Sequence, residues 1–176
     1  MFSRFIHLLT IATLLGTPAA AQTMVVDGFS VTVLPAPTEG MFSKKPDVAD
    51  DGTVLYETGK GNDNYGINPY DYSKKLTLDT PFLSIQARGA AAFVLKAPAT
   101  QLTILWGSPD PQNALQFFDS SGAQIGNTMN GADLKAAFNL PPPQPYYITI
   151  TVPTAFTKAA LSSNSCCFEF SAVSSQ

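Results

Sequence analysis

The sequence predicts an all-β fold, an antiparallel β-sandwich of jelly-roll-like character, and three observations carry that reading. Short segments in which apolar and polar residues alternate recur along most of the chain. Clusters of Gly, Pro, Asn and Asp separate them at steady intervals. A helical pattern is confined to one short stretch. Period-two alternation gives each strand one apolar face, and such faces are covered when two sheets pack on each other.

The elements follow in order. Strands are expected at 30–34, 53–57, 75–79, 82–86, 91–96, 102–106, 115–119, 146–152, 156–161 and 168–173. The helix candidate is 131–138, where Asp133 could start one or two turns. Residues 35–51 hold three prolines, two lysines and four acids, which reads as a surface loop. Pro141-Pro142-Pro143-Gln144-Pro145 must be extended, because proline fixes its own φ and drives its predecessor out of the helical region. It reads as a stiff connection into the strand at Tyr146, with a ligand for proline-binding modules as the alternative.

The first residues set the compartment. Arg4 precedes an apolar run from Phe5 to Gly16, and Thr17-Pro18-Ala19-Ala20-Ala21 supplies small residues at the cleavage-determining positions. This is the order of a secretory signal peptide, residues 1–21, and the run is too short for a span of about 20 apolar residues. Residues 22–176 are then one domain, secreted or periplasmic, with no later stretch able to span a bilayer.

Composition narrows the function. Without Arg4 the chain has nine Lys and Arg against thirteen Asp and Glu, a formal charge of −4, with no cationic run longer than two. Nucleic acid is therefore not an expected partner. His7 is the only histidine, and it lies in the signal segment. A mature chain without imidazole builds neither a Ser-His-Asp or Cys-His site nor a His-ligated metal centre. No catalytic residue is assigned, and a non-enzyme is expected. Carboxylate chemistry on a glycosidic bond stays open, since three Glu and ten Asp are present.

One region suits sugar binding. Tyr56, Tyr65, Tyr70 and Tyr72 are four of six tyrosines, and Asn62, Asp63 and Asn64 lie among them. A ring can stack on a pyranose while amides and acids bond its hydroxyls, so Tyr65, Tyr70, Tyr72, Asn62, Asp63 and Asn64 form the candidate ligand site. Covering a sandwich edge is the alternative role. The same polar residues could hold calcium, although an EF-hand's closing Glu is missing; no other cofactor is expected.

Trp106-Gly107-Ser108-Pro109-Asp110, with Asn113, Leu115, Phe117, Phe118 and Asp119, reads as a strand, a turn and a second strand. Trp106 is read as a core anchor, with ligand stacking as the alternative, and Asp110 and Asn113 as turn-forming hydrogen-bonders rather than metal ligands. The stretch resembles a motif of bacterial exported β-sandwich proteins of the PEP-CTERM, or exosortase-substrate, type, Trp-Gly-Ser-x-Asp-x-x-Asn-x-Leu. Residues 126–134 look like that family's Gly-containing turn region, and Cys167-Phe168-Glu169-Phe170 looks like its closing strand. The resemblance covers residues 53–173 and implies a sandwich associated with extracellular polysaccharide and matrix. Ser171 and Ala172 stand where the family has Asp-Asn, so a ligand role for that pair is not carried over. No Pro-Glu-Pro sorting signal precedes Gln176, which implies a protein released or held by other contacts.

Cys166 and Cys167 are adjacent, so no loop-closing disulfide framework exists, and a direct bond would strain Cα atoms about 3.8 Å apart. Strand parity sends Cys166 with Phe168 and Phe170 to the core, and Cys167 with Glu169 to water or a partner. The expected function is a secreted, non-catalytic sandwich that binds glycans or joins the extracellular matrix. A structural protein contacting another protein, through Cys167 or a strand edge, is the alternative, and a carboxylate-dependent polysaccharide enzyme is the third.

Overall fold

A computed structural model describes residues 21–34, 49–50, 54–58, 81–140, 146–165 and 167–176. The signal segment, the 75–79 strand and the Pro141–Pro145 connection lie outside the described residues. The elements are β1 (Gln22–Val26), β2 (Phe29–Leu34), β3 (Ala49–Asp50), β4 (Val54–Thr58), β5 (Pro81–Ile85), β6 (Gly89–Trp106), β7 (Asn113–Phe118), β8 (Gln124–Asn130), α1 (Gly131–Phe138), β9 (Tyr146–Ser163) and β10 (Phe168–Ser175). Every pairing is antiparallel, so the all-β sandwich expected from the alternation is the fold observed.

Two long strands build both layers. The 91–96 and 102–106 segments are halves of β6, and 146–152 and 156–161 are halves of β9. Gln101 to Trp106 pair with Tyr146 to Thr151, whereas Gly89 to Val94 pair with Lys158 to Ser163. The register breaks between Val94 and Gln101, and inward parity changes there: Ala91 and Phe93 are buried before it, Leu102, Ile104 and Trp106 after it. A bulged strand bends and passes from one sheet to the next, which is how a sandwich turns its corner. Pro98 and Pro153 lie at these bends, in the gaps between the expected segments, while the chain continues extended.

One layer is β1-β2-β9-β6-β10-β5-β4, using the Tyr146 half of β9. The other is β8-β7-β9-β6-β3, using the Phe156 half. Between them lies an aromatic core. Phe29 of β2 meets Phe117 of β7 at 5.2 Å between ring centroids, and Phe93 of β6 meets Phe170 of β10 edge-on at 5.6 Å. Offset and edge-to-face contacts of this kind add to the burial of large apolar rings.

The helix expectation matches α1, although Asn130, not Asp133, is its N-cap; Asp133 lies in its first turn and Asn139 ends it in the left-handed region. The Gly-containing turn region expected at 126–134 is instead the end of β8 running directly into α1. Three of the observed strands lie outside the expected segments. β3 (Ala49–Asp50) falls at the end of the stretch expected to be a surface loop, where it pairs with Ala92 and Ala91 of β6. β8 buries only Met129, so its alternation is faint. β1 joins β2 through Asp27-Gly28, with φ of 53° and 90°, the backbone that a two-residue hairpin requires and that Asp-Gly supplies.

Candidate functional site

The conspicuous surface is the outward face of the first layer. Along β2 the inward residues are Phe29, Val31 and Val33, which puts Ser30 and Thr32 outside; along β9 Ile148 and Ile150 face in, which puts Tyr147, Thr149 and Thr151 outside. Register then aligns hydroxyls across four strands. Thr23 is opposite Thr32, Thr32 opposite Thr149, and Thr149 opposite Thr103. The neighbouring row runs Val25, Ser30, Thr151 and Gln101.

Hydrogen bonds tie the rows together. Thr23 Oγ1 and Thr32 Oγ1 are 2.8 Å apart, Thr103 Oγ1 and Thr149 Oγ1 3.0 Å, and Gln101 Nε2 donates to Thr151 Oγ1 at 3.4 Å. Thr23, Val25 and Ser30 are exposed, while Thr32, Thr149, Thr151, Gln101 and Tyr147 are half-buried and Thr103 is buried. Burial raises the Tyr147 phenol above its ordinary value, opposed by a hydrogen bond with Thr103. No outward residue of these strands, from β1 through the Gln101–Leu105 half of β6, is charged.

The chemistry follows from this lattice. Strands lie about 4.8 Å apart and outward residues recur about every 6.7 Å along each strand, so the hydroxyls form a regular grid. Each threonine offers a donor, acceptors and a methyl. Such a surface offers hydrogen bonds and small apolar contacts side by side and carries no formal charge.

Other residues have structural partners. Trp106 is fully buried and stacks on Phe168 at 4.5 Å, in accord with a core anchor. Asn113 is buried; its Nδ2 donates to the Ser108 carbonyl at 3.1 Å and its Oδ1 accepts from Ser163 Oγ at 3.1 Å. Asp110 accepts from Lys135 Nζ at 2.9 Å, linking the turn to α1. Asn113 holds the turn through its side chain, as its sequence context indicated, whereas Asp110 takes part through its carbonyl, which accepts from the Asn113 N–H at 3.0 Å, and turns its carboxylate to α1.

Cys167 and Glu169 correct the parity argument. Each is only 6% exposed, so neither side chain is turned to water. Cys167 is disulfide-bonded, and the chain's one other cysteine is its neighbour Cys166, which lies outside the described residues. Tyr65, Tyr70, Tyr72, Asn62, Asp63 and Asn64 also lie outside the described residues.

Among the described residues one pair of acids interacts. Asp27, in the β1–β2 turn, has its carboxyl held above the ordinary range by burial first and then by Asp133, to which it is hydrogen-bonded. Asn130 Nδ2 donates to Asp133 Oδ2 at 3.2 Å. The described residues contain no group of three His, Cys, Asp or Glu side chains able to hold a metal ion. No helix among them is long and apolar enough to cross a membrane.

No family model and no curated relative matches the chain. A solved structure, the crystal structure of the enzymatically active domain of Bacteriophage CBA120 tailspike protein 4, aligns over 72% of this chain and 18% of that chain, at 15% identity and a TM-score of 0.33. Neither fold nor activity is carried over from that alignment.

Proposed function

We propose that this protein is a secreted, non-catalytic β-sandwich that binds neutral glycans, as a soluble binder or as part of an extracellular matrix. The observation that supports this reading is the uncharged hydroxyl grid of Thr23, Thr32, Thr149, Ser30 and Thr151 on one face of the first layer. A polysaccharide strand lying on it would exchange hydrogen bonds with the threonine hydroxyls and place its C–H groups over their methyls and over Val25. Tyr65, Tyr70 and Tyr72, with Asn62, Asp63 and Asn64, are proposed as a second contact zone, with calcium as an optional ligand there.

Retention of the exported protein on immobilised neutral and acidic polysaccharides, with and without calcium, tests the reading. Binding to a neutral polymer without sugar release supports it, and release of reducing sugar would move the carboxylate-enzyme reading ahead. Tyr70→Ala with Tyr72→Ala separates the zones, since loss of binding in that variant alone would transfer the site to the tyrosines.

A further inference from the structure

Strand β1 closes one edge of the first layer and, among the described residues, pairs with β2 alone. Its register, Gln22 to Val26 against Val33 to Phe29, is unbroken by any bulge. The segment Gln-Thr-Met-Val-Val contains no charge and no proline, two of the usual devices that blunt a sheet edge, although the strand is short and α1 packs beside it. Four of its five residues are exposed, Val25 at 76% and Met24 at 43%.

The hairpin geometry shows which backbone groups are open. In a two-residue hairpin the residues flanking the turn, here Val26 and Phe29, exchange both hydrogen bonds. Alternation makes Met24 with Val31 and Gln22 with Val33 the next bonded pairs. The N–H and C=O groups of Thr23 and Val25 therefore point away from β2.

From this arrangement we propose that β1 pairs antiparallel with β1 of a second copy of this chain, about a two-fold axis at Met24. The open groups at 23 and 25 are symmetric about residue 24, so Thr23 would bond Val25 of the second copy and the reverse, using every outward group between them. Met24 would then face Met24 of the second copy at a non-bonded position, where side chains approach most closely. A self-complementary edge of this kind is the isologous contact that a two-fold dimer needs.

The axis stands perpendicular to the sheet, so both hydroxyl faces come to the same side. The row Thr103, Thr149, Thr32, Thr23 would continue into Val25, Ser30, Thr151 and Gln101 of the second copy, doubling the grid. Five residues per copy bury less than the about 1,200–2,000 Å² of a stable interface, so association is weak and depends on concentration. The pairing does not depend on what the hydroxyl face binds.

Sedimentation velocity and light scattering of the exported protein over a wide concentration range test this. Wild type is expected to double its mass at high concentration and return to one chain on dilution. Val25→Lys places a charge on the edge, and Val25→Pro removes an outward N–H while sparing the bonds to β2. Both should keep the mass of one chain where wild type is paired, and Val25→Lys should keep the wild-type melting transition. Val94→Lys, at a residue 56% exposed in the other layer, should pair like wild type. A wild type that stays single at every concentration, or pairing that persists in both edge variants, overturns the proposal.

Discussion

The Trp106 indole lies nearly parallel to the Phe168 ring, with 4.5 Å between centroids and 21° between planes. Both rings are fully buried, on strands β6 and β10 of the first layer. The Trp106 Nε1–H has no hydrogen-bond partner among the described residues. The residue therefore contributes chiefly apolar volume and stacking.

Trp106→Ala is expected to destabilise the domain by roughly 3–5 kcal/mol, read from a denaturant melt. Trp106→Phe should cost clearly less, because it keeps a stacking ring and removes the unpaired donor. Equal losses in the two variants would mean that the indole's outer ring, not the stack, carries the packing.

Gly131 opens α1 where it meets the Trp-Gly-Ser-Pro-Asp turn. A Cβ there would lie 2.3 Å from the Asp110 carbonyl oxygen and 2.5 Å from the Pro109 carbonyl carbon, both backbone atoms. Gly131→Ala should thus lower stability by about 1–3 kcal/mol despite alanine's better helix propensity. Thermal melting of Gly131→Ala beside Ala132→Gly, a half-buried neighbour on the same turn, separates the clash from the propensity effect.

The Asp27 carboxyl gives a pH-dependent signature. Its folded pKa is raised, by burial and then by Asp133, so the folded state holds the proton more tightly than the unfolded chain. Stability is therefore fullest below the unfolded aspartate pKa and falls as pH rises through the folded pKa. Asp27→Asn should raise the melting temperature at neutral pH. That advantage should shrink as pH falls through and below the ordinary aspartate range. An advantage independent of pH would instead trace to asparagine's ease in the left-handed conformation at this turn.

The sequence carried the fold further than it carried the site. The alternation in Ser30-Val31-Thr32-Val33 and in Tyr147-Ile148-Thr149-Ile150-Thr151 already separates an inner from an outer face. What it could not contain is register, because the meeting of Thr149 with both Thr32 and Thr103 depends on partners 117 and 46 positions away along the chain. The cluster of Tyr and Asn at 62–72 is contiguous and so visible in the sequence, whereas the hydroxyl grid is assembled from residues spread between Thr23 and Thr151. Asp27-Gly28 was a legible hairpin signal for β1. The burial of Cys167 and Glu169 was not, since parity assigns a residue to a face and says nothing of what covers that face.

The most direct test of the hydroxyl-face account is the affinity of the exported protein for a neutral polysaccharide, measured by titration for wild type, Thr149→Lys and Thr32→Lys. Both threonines are half-buried at the centre of the grid, so each lysine would replace a hydroxyl and methyl with a long solvated cation. The account predicts that each substitution lowers affinity at least about tenfold, or about 1.4 kcal/mol, with melting close to wild type. Undiminished affinity in both variants, with the fold intact, would contradict it.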